Sequence, residues 1–238
     1  MDSLSMDETV NIIASRIASR KFTQHVVVNV AKLVNMRNDP VLKKSVESCD
    51  IVNIDGMGVV WGARLLGYPV PERVSGIDLF YNLLRLSAEK GFSVFLLGAK
   101  EEIVVEAKRR VELLYPKLNV AGYHNGYFWD NEQDVVDKIN KSGARLLFVA
   151  ISSPKKENFI NKWHRQWGVD FVMGVGGTFD VVAGKVKRAP LWMQKYGLEW
   201  LYRVYQEPRR MFKRYLSTNT KFLFFLVKEM FKPLKDQP

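Results

Sequence analysis

Five short segments of this 238-residue chain place small residues beside groups able to bind or move charge. They are Asn29, Asp55-Gly56, Gly98-Ala99-Lys100, Ser153-Pro154-Lys155 and the run Gly174-Val175-Gly176-Gly177-Thr178-Phe179-Asp180. Each follows a short apolar run. In an open α/β sheet ligands sit beyond the carboxyl ends of the strands, so the five are expected to converge on one crevice. Asp55 could take a proton from an attacking hydroxyl as a general base. An isolated Asp-Gly after a strand is also a natural helix N-cap, and by itself the pattern favours the cap. The glycines at 174, 176 and 177 let backbone amides approach an anion, with Thr178 or Asp180 able to bind ribose or base hydroxyls. An ordinary tight turn explains the same run equally well. Arg73, in Pro71-Glu72-Arg73-Val74-Ser75-Gly76, precedes a helical pattern and could face the crevice, although the residues alone favour a surface loop arginine.

Other chemistries lack their signatures. Phe179 stands where Gly-x-Gly-x-x-Gly needs its third glycine, and Gly-x-x-x-x-Gly-Lys-[Ser/Thr] is absent, which weakens dinucleotide and P-loop readings. His25, His124 and His164 have no partners at metal-ligand spacing, and no Asp-x-Asp occurs. Neither a bound metal nor a cofactor is expected.

The elements that must position these residues are legible in the hydrophobic periodicity. Nearly unbroken apolar runs at 25–30, 51–54, 92–97, 118–121, 146–151 and 171–175 read as strands buried on both faces. Helical patterns fall at 31–38, 58–66, 77–90, 101–114, 131–142 and 156–167, and Ser5-x-x-Glu8 reads as a capping box opening a helix to about Arg20. The alternation predicts a mainly parallel, Rossmann-like α/β sheet flanked by helices. From Pro190 the strand signal stops, and 192–205 and 213–231 look helical. Residues 1–190 are therefore expected to form the α/β catalytic core, and 191–238 a basic amphipathic helical appendage that closes the active site and meets a membrane.

Composition bounds the class. A 47% hydrophobic content supports one sizeable core with an appendage, and the single cysteine, Cys49, excludes an intramolecular disulfide. The acidic N-terminal octet is neither signal peptide nor anchor, and no stretch reaches the ~18 to 20 apolar residues a spanning helix needs. A cytoplasmic location is expected, peripheral on the inner face of the cell membrane. The net charge of +11 predicts an anionic partner, and the excess is concentrated in the tail with Arg203, Arg209, Arg210, Lys213, Arg214, Lys221, Lys228, Lys232 and Lys235. Phe222, Phe225, Leu226 and Met230 recur at helical spacing among them, as in a helix lying in a membrane interface. Packing on the core, or self-association into a homo-oligomer, would use the same aromatic residues.

Together Asn53-x-Asp55-Gly56-Met57-Gly58-Val59-Val60, Pro71-Glu72-Arg73-Val74-x-Gly76-x-Asp78-Leu79, Pro154-Lys155-x-Glu157, the stretch from Gly174 to Arg188-Ala189-Pro190, Gly197-Leu198-Glu199-Trp200-Leu201-Tyr202-Arg203 and Glu207-Pro208-x-Arg210 resemble the WecG/TagA/CpsF family of bacterial glycosyltransferases over nearly the whole chain. The resemblance implies an inverting transferase taking a UDP-sugar donor and a polyprenyl-diphosphate-linked acceptor. It makes Asp55 the catalytic base and places Asn29, Arg73, Lys156 and Glu157 at the substrate. Gly98, Gly176, Gly177 and Asp180, with Arg203, Arg210, Lys213 and Arg214 from the tail, fall to the UDP. Without Asp-x-Asp, arginines are the natural neutralisers of a departing diphosphate. The chain departs from the pattern at Val27, where threonine is frequent, at Lys156, where glutamine is usual, and in lacking the short strand that commonly precedes the first helix. These departures touch the sugar site and leave the donor open among UDP-N-acetylmannosamine, UDP-glucose and a UDP-uronic acid. Two other classes compete: a nicotinamide-dependent oxidoreductase, which the missing glycine fingerprint disfavours, and a nucleic-acid-binding protein, which has the basic charge but no recognisable module. No nucleic-acid partner is expected.

Overall fold

The structure, a computed structural model, describes residues 1–231. In chain order it runs α1 (Met6–Ala18), β1 (Thr23–Val28), α2 (Val30–Met36), α3 (Pro40–Glu47), β2 (Ile51–Ile54), α4 (Met57–Leu65), α5 (Gly76–Lys90), β3 (Ser93–Gly98) and α6 (Glu101–Leu114). It continues with β4 (Asn119–His124), α7 (Glu132–Lys141), β5 (Leu146–Ala150), α8 (Lys155–Lys162), β6 (Phe171–Gly174), α9 (Thr178–Val182), α10 (Leu191–Lys195), α11 (Glu199–Gln206) and α12 (Pro208–Met230). The six strands form one sheet in the order β2-β1-β6-β5-β3-β4, and every pairing is parallel. This is the expected Rossmann-like architecture.

Both faces of the sheet are covered, which is why its strands read as continuous apolar runs. On one face α1, α5, α6 and α9 enclose Leu79, Phe80, Leu96, Phe148, Phe171 and Phe179. On the other, α7 and α8 pack on Leu97, Leu147, Val149 and Val172, and α3 on Val26 and Val28. The Ser5–Glu8 capping box forms as expected: the Ser5 side chain accepts from the Glu8 N–H while the Glu8 carboxylate takes the Ser5 N–H at 2.8 Å.

Several helix boundaries needed correction, among them that of the helix expected over 213–231, which begins at Pro208 as α12. The unanticipated α3 is started by Asp39, whose carboxylate accepts from the Leu42 N–H at 2.9 Å, with Pro40 at the first helical position. The short α9 also escaped the sequence reading. The pattern read as 156–167 ends as α8 at Lys162. The single helix expected over 192–205 is two, because Gly197 takes φ +70° and turns the chain between α10 and α11.

The three last helices lie against the crevice end of the sheet. α12 packs along α2 and α11, and Gly62 of α4 lets Phe222 and Leu226 close in, since a methyl there would stand 3.0 Å from the Phe222 ring and 3.4 Å from Leu226 Cδ1. Gly197 sits on Met57 and Trp61 of the same helix. The apolar face assigned to an interface helix therefore turns inward. Phe222, Phe225 and Leu226 are half-buried, with the Arg37 guanidinium 4.0 Å from the centre of the Phe225 ring. What α12 shows to solvent is a different stripe: Phe212, Leu216, Leu223, Phe224 and Val227, together with Met230. Lys232 and Lys235 lie outside the described residues.

Candidate active site

Asp55 leaves the carboxyl end of β2, its N–H donating to the Val28 carbonyl at 2.9 Å. The Val74 N–H donates to Ile54 at 2.9 Å and draws the Arg73 loop back over the same strand end. The N-cap of α4 is Gly56, with no side-chain cap. Asp55 is thus not spent on capping, contrary to what the Asp-Gly pattern alone suggested, and its carboxyl is available for chemistry. Burial pushes that carboxyl above its ordinary value. Arg73 opposes the rise, Glu199 adds to it, and Arg203 and a hydrogen bond from the Gly76 backbone oppose it again. The net direction is upward, so Asp55 is a stronger base than a free aspartate.

Arg73 is no surface arginine. Its side chain is 14% exposed and its Nη1 lies 2.5 Å from Glu199 Oε2. Glu199 opens α11 and also meets Arg188 Nε at 3.5 Å. Arg188 in turn forks onto both oxygens of Asp78, at 2.5 and 2.7 Å. Burial works against ionised Asp78, but the Arg188 bonds and charge hold its carboxyl below the usual range. Four charges of alternating sign, Asp78, Arg188, Glu199 and Arg73, lead up to Asp55.

A second charged group lies beneath the floor of the crevice. Asn29 is the N-cap of α2, its Oδ1 accepting from the Lys32 N–H at 3.0 Å, and it packs directly against Gly56. The Lys32 ammonium donates to the Val27 carbonyl at 2.7 Å and pairs with Glu157 Oε1 at 2.7 Å, where Lys156 also pairs at 2.7 Å. All three side chains are buried. Burial would raise the Glu157 carboxyl, but Lys156 and Lys32 bring it down to about 2. Burial, with the Lys32 charge, takes Lys156 down to about 8 against the pull of Glu157. Lys156 and Glu157 thus lie beneath the strand ends rather than in the open crevice, with Glu157 shared between the Lys156 and Lys32 ammonium groups.

The sequence matches the model of the glycosyl transferase WecG/TagA/CpsF family over residues 1–236. The chain belongs to that family. It is 38% identical over 179 residues to the N-acetylglucosaminyldiphosphoundecaprenol N-acetyl-beta-D-mannosaminyltransferase of Bacillus spizizenii, covering 75% of this chain and 69% of the relative. The protein of the same description from Bacillus subtilis is 36% identical over 182 residues, covering 76% and 70%. The enzyme is therefore a glycosyltransferase.

The remaining candidates of the glycosyltransferase are distributed around the same end of the sheet. Gly98 ends β3 with φ +122°, where a methyl would stand 2.4 Å from the Ala150 carbonyl oxygen of β5, so only glycine fits. Gly176 has φ +54° and Gly177 caps α9, whose Asp180 lies 3.9 Å from the Lys185 ammonium. Arg203 is exposed on α11 and felt at Asp55; Arg214 is exposed on α12 and felt at Lys156. Lys213 is exposed beside it, and the Arg210 side chain lies outside the described residues. Among the described residues no group of three His, Cys, Asp or Glu is placed to hold a metal. A shallow hollow of about 480 Å³ between Ser3, Glu8, Arg64 and Pro69–Pro71 contains none of the residues singled out for chemistry.

Sequence reasoning missed Glu199, Arg188, Asp78 and Lys32 as members of these clusters. Their signal was weak: Asp78, Arg188 and Glu199 stood inside the quoted motifs without an assigned role, and Lys32 looked like an ordinary helical lysine.

Proposed function

We propose that this glycosyltransferase moves a hexosyl group from a UDP-sugar to the hydroxyl of a polyprenyl-diphosphate-linked sugar, with inversion at the anomeric carbon. The observation that carries the reading is Asp55: a partly buried carboxyl with raised basicity at a strand end, flanked by Arg73 and Arg203. The acceptor hydroxyl attacks the anomeric carbon while its proton passes to Asp55. The bond from that carbon to the β-phosphate oxygen breaks, and UDP leaves with the electron pair. Arg203, with Lys213, Arg214 and Arg210, is suited to bind the growing negative charge, while Gly98, Gly176, Gly177 and Asp180 accommodate the nucleotide. The names of the two Bacillus relatives favour N-acetylmannosamine as the sugar moved and N-acetylglucosaminyl-diphosphoundecaprenol as the acceptor.

No described helix is long and apolar enough to cross a membrane. We assign residues 191–238 to closure over the diphosphate and to an anionic membrane surface. Exposed Leu216, Leu223, Phe224 and Val227 supply the apolar contact, with Lys221 and Lys228 at the charged edges, each cation contributing about 1 kcal/mol near acidic lipid. The experiment is UDP release from a panel of UDP-sugars with polyprenyl-diphosphate-GlcNAc and polyprenyl-diphosphate-glucose, run with and without anionic vesicles. UDP-N-acetylmannosamine with the GlcNAc acceptor is expected to give release, and the protein to sediment with the vesicles. Release that never depends on a lipid-linked acceptor would overturn the reading.

A further inference from the structure

α11 is held by an unusual means. None of its residues is fully buried; along its length Trp200 packs on Tyr215 of α12, ring centres 5.8 Å apart, and Gln206 Nε2 donates to the Lys187 carbonyl at 3.0 Å. Its first residue, Glu199, reaches two separate core arginines. Arg73 enters from the loop before α5, at 2.5 Å, and Arg188 from the segment after α9, at 3.5 Å. Arg188 is itself pinned by the two-pronged contact with Asp78 in the first turn of α5. An exposed ion pair of this kind contributes about 0 to 1 kcal/mol and commonly does nothing more. Here, however, the side chains of Arg73, Glu199 and Arg188 are only 14%, 24% and 24% exposed, and the pairs form a network. Four residues along α11 stands Arg203, on the same helix face as Glu199. Glu199 and Arg203 are both felt at Asp55, with opposite sign.

We propose that Glu199 is a positioning residue of the transfer reaction: by bridging Arg73 and Arg188 it docks α11 on the core and holds Arg203 within electrostatic reach of Asp55. It touches neither donor nor acceptor. Its carboxylate spans the two guanidinium groups, so the sheet end that carries the base and the helix that carries the phosphate-neutralising arginine keep one spacing. This rests on Asp55 and Arg203 acting as proposed above.

The test uses the full chain with Glu199→Gln and, as the variant that keeps the charge, Glu199→Asp. Trypsin cleavage after Lys195 and Arg203, measured without nucleotide, reads the docking alone. For Glu199→Gln cleavage should accelerate several-fold, and kcat should fall about 10- to 100-fold, the loss expected from a misplacement near 1 Å, with the acceptor KM little changed. The acid limb of kcat/KM should move to lower pH, because the negative charge that helps keep Asp55 basic is gone. Glu199→Asp should keep the limb in place and recover part of kcat. A Glu199→Gln protein with wild-type cleavage, or with faster cleavage but unchanged kcat and acid limb, overturns the positioning role. If the wild type releases UDP from no donor, the functional reading fails instead, while the cleavage rates still report whether Glu199 docks the helix.

Discussion

Arg73 and Glu199, 126 positions apart in the chain, meet at 2.5 Å beside the carboxyl of Asp55. The contact ties the loop between α4 and α5 to α11, the second helix of the tail. Two arginines of this cluster are already oriented, Arg73 by Glu199 and Arg188 by Asp78, and under the proposed reaction a departing diphosphate would meet them in place. Preorganised charge of that kind stabilises a developing anion without reorganisation at the moment of reaction.

Replacing Asp55 with Asn should keep the fold and UDP affinity while lowering turnover about 10²- to 10⁴-fold, the usual contribution of a positioned general base. UDP release under saturating donor and acceptor measures it. Turnover within a few-fold of wild type would remove Asp55 from the mechanism.

Transfer should persist in excess chelator, since the sequence has no Asp-x-Asp and arginines and lysines are at hand to neutralise the leaving diphosphate. Activity that disappears with chelator and returns with magnesium or manganese would contradict this.

Glu157→Gln should destabilise the protein by about 3 to 5 kcal/mol, because it leaves Lys32 and Lys156 buried together without their shared counter-charge. The sign of the pH dependence follows from the shifts. A carboxyl held at about 2 rather than 4.5 contributes stability that is full above pH 4.5 and is lost as pH falls toward 2. Lys156, held at about 8 rather than 10.5, acts the other way: the penalty of its buried charge is full below pH 8 and fades as pH rises toward 10.5. Thermal midpoints of both proteins across pH should therefore converge in acid. A gap between them that stays constant from about pH 5 to about pH 2.5 would show that Glu157 is not held ionised by the lysines.

The central strands were legible because β3, β5 and β6 are buried on both faces and apolar almost without interruption, whereas the edge strand β4 is only half-buried and was read short, at 118–121. Asp55 was found by position, as the first polar residue after such a run. Its role was not, since capping and base catalysis use the same residue, and only the cap at Gly56 separates them. Arg73 read as a loop arginine because its partner lies far along the chain, where no periodicity connects the two. The tail misled in another way. α12 is apolar on two sides, so the helical period identified the helix correctly while Phe222 and Phe224 could each have been the one turned inward. Gly62 decides it by letting Phe222 approach α4.

With 23 residues at 1.5 Å each, α12 is a rod about 34 Å long. One flank lies on α2, the helix whose first turn begins at Asn29 in the crevice floor, and the other flank is open. The open apolar flank and the crevice floor are thus the two sides of one helix pair, joined with no linker between them.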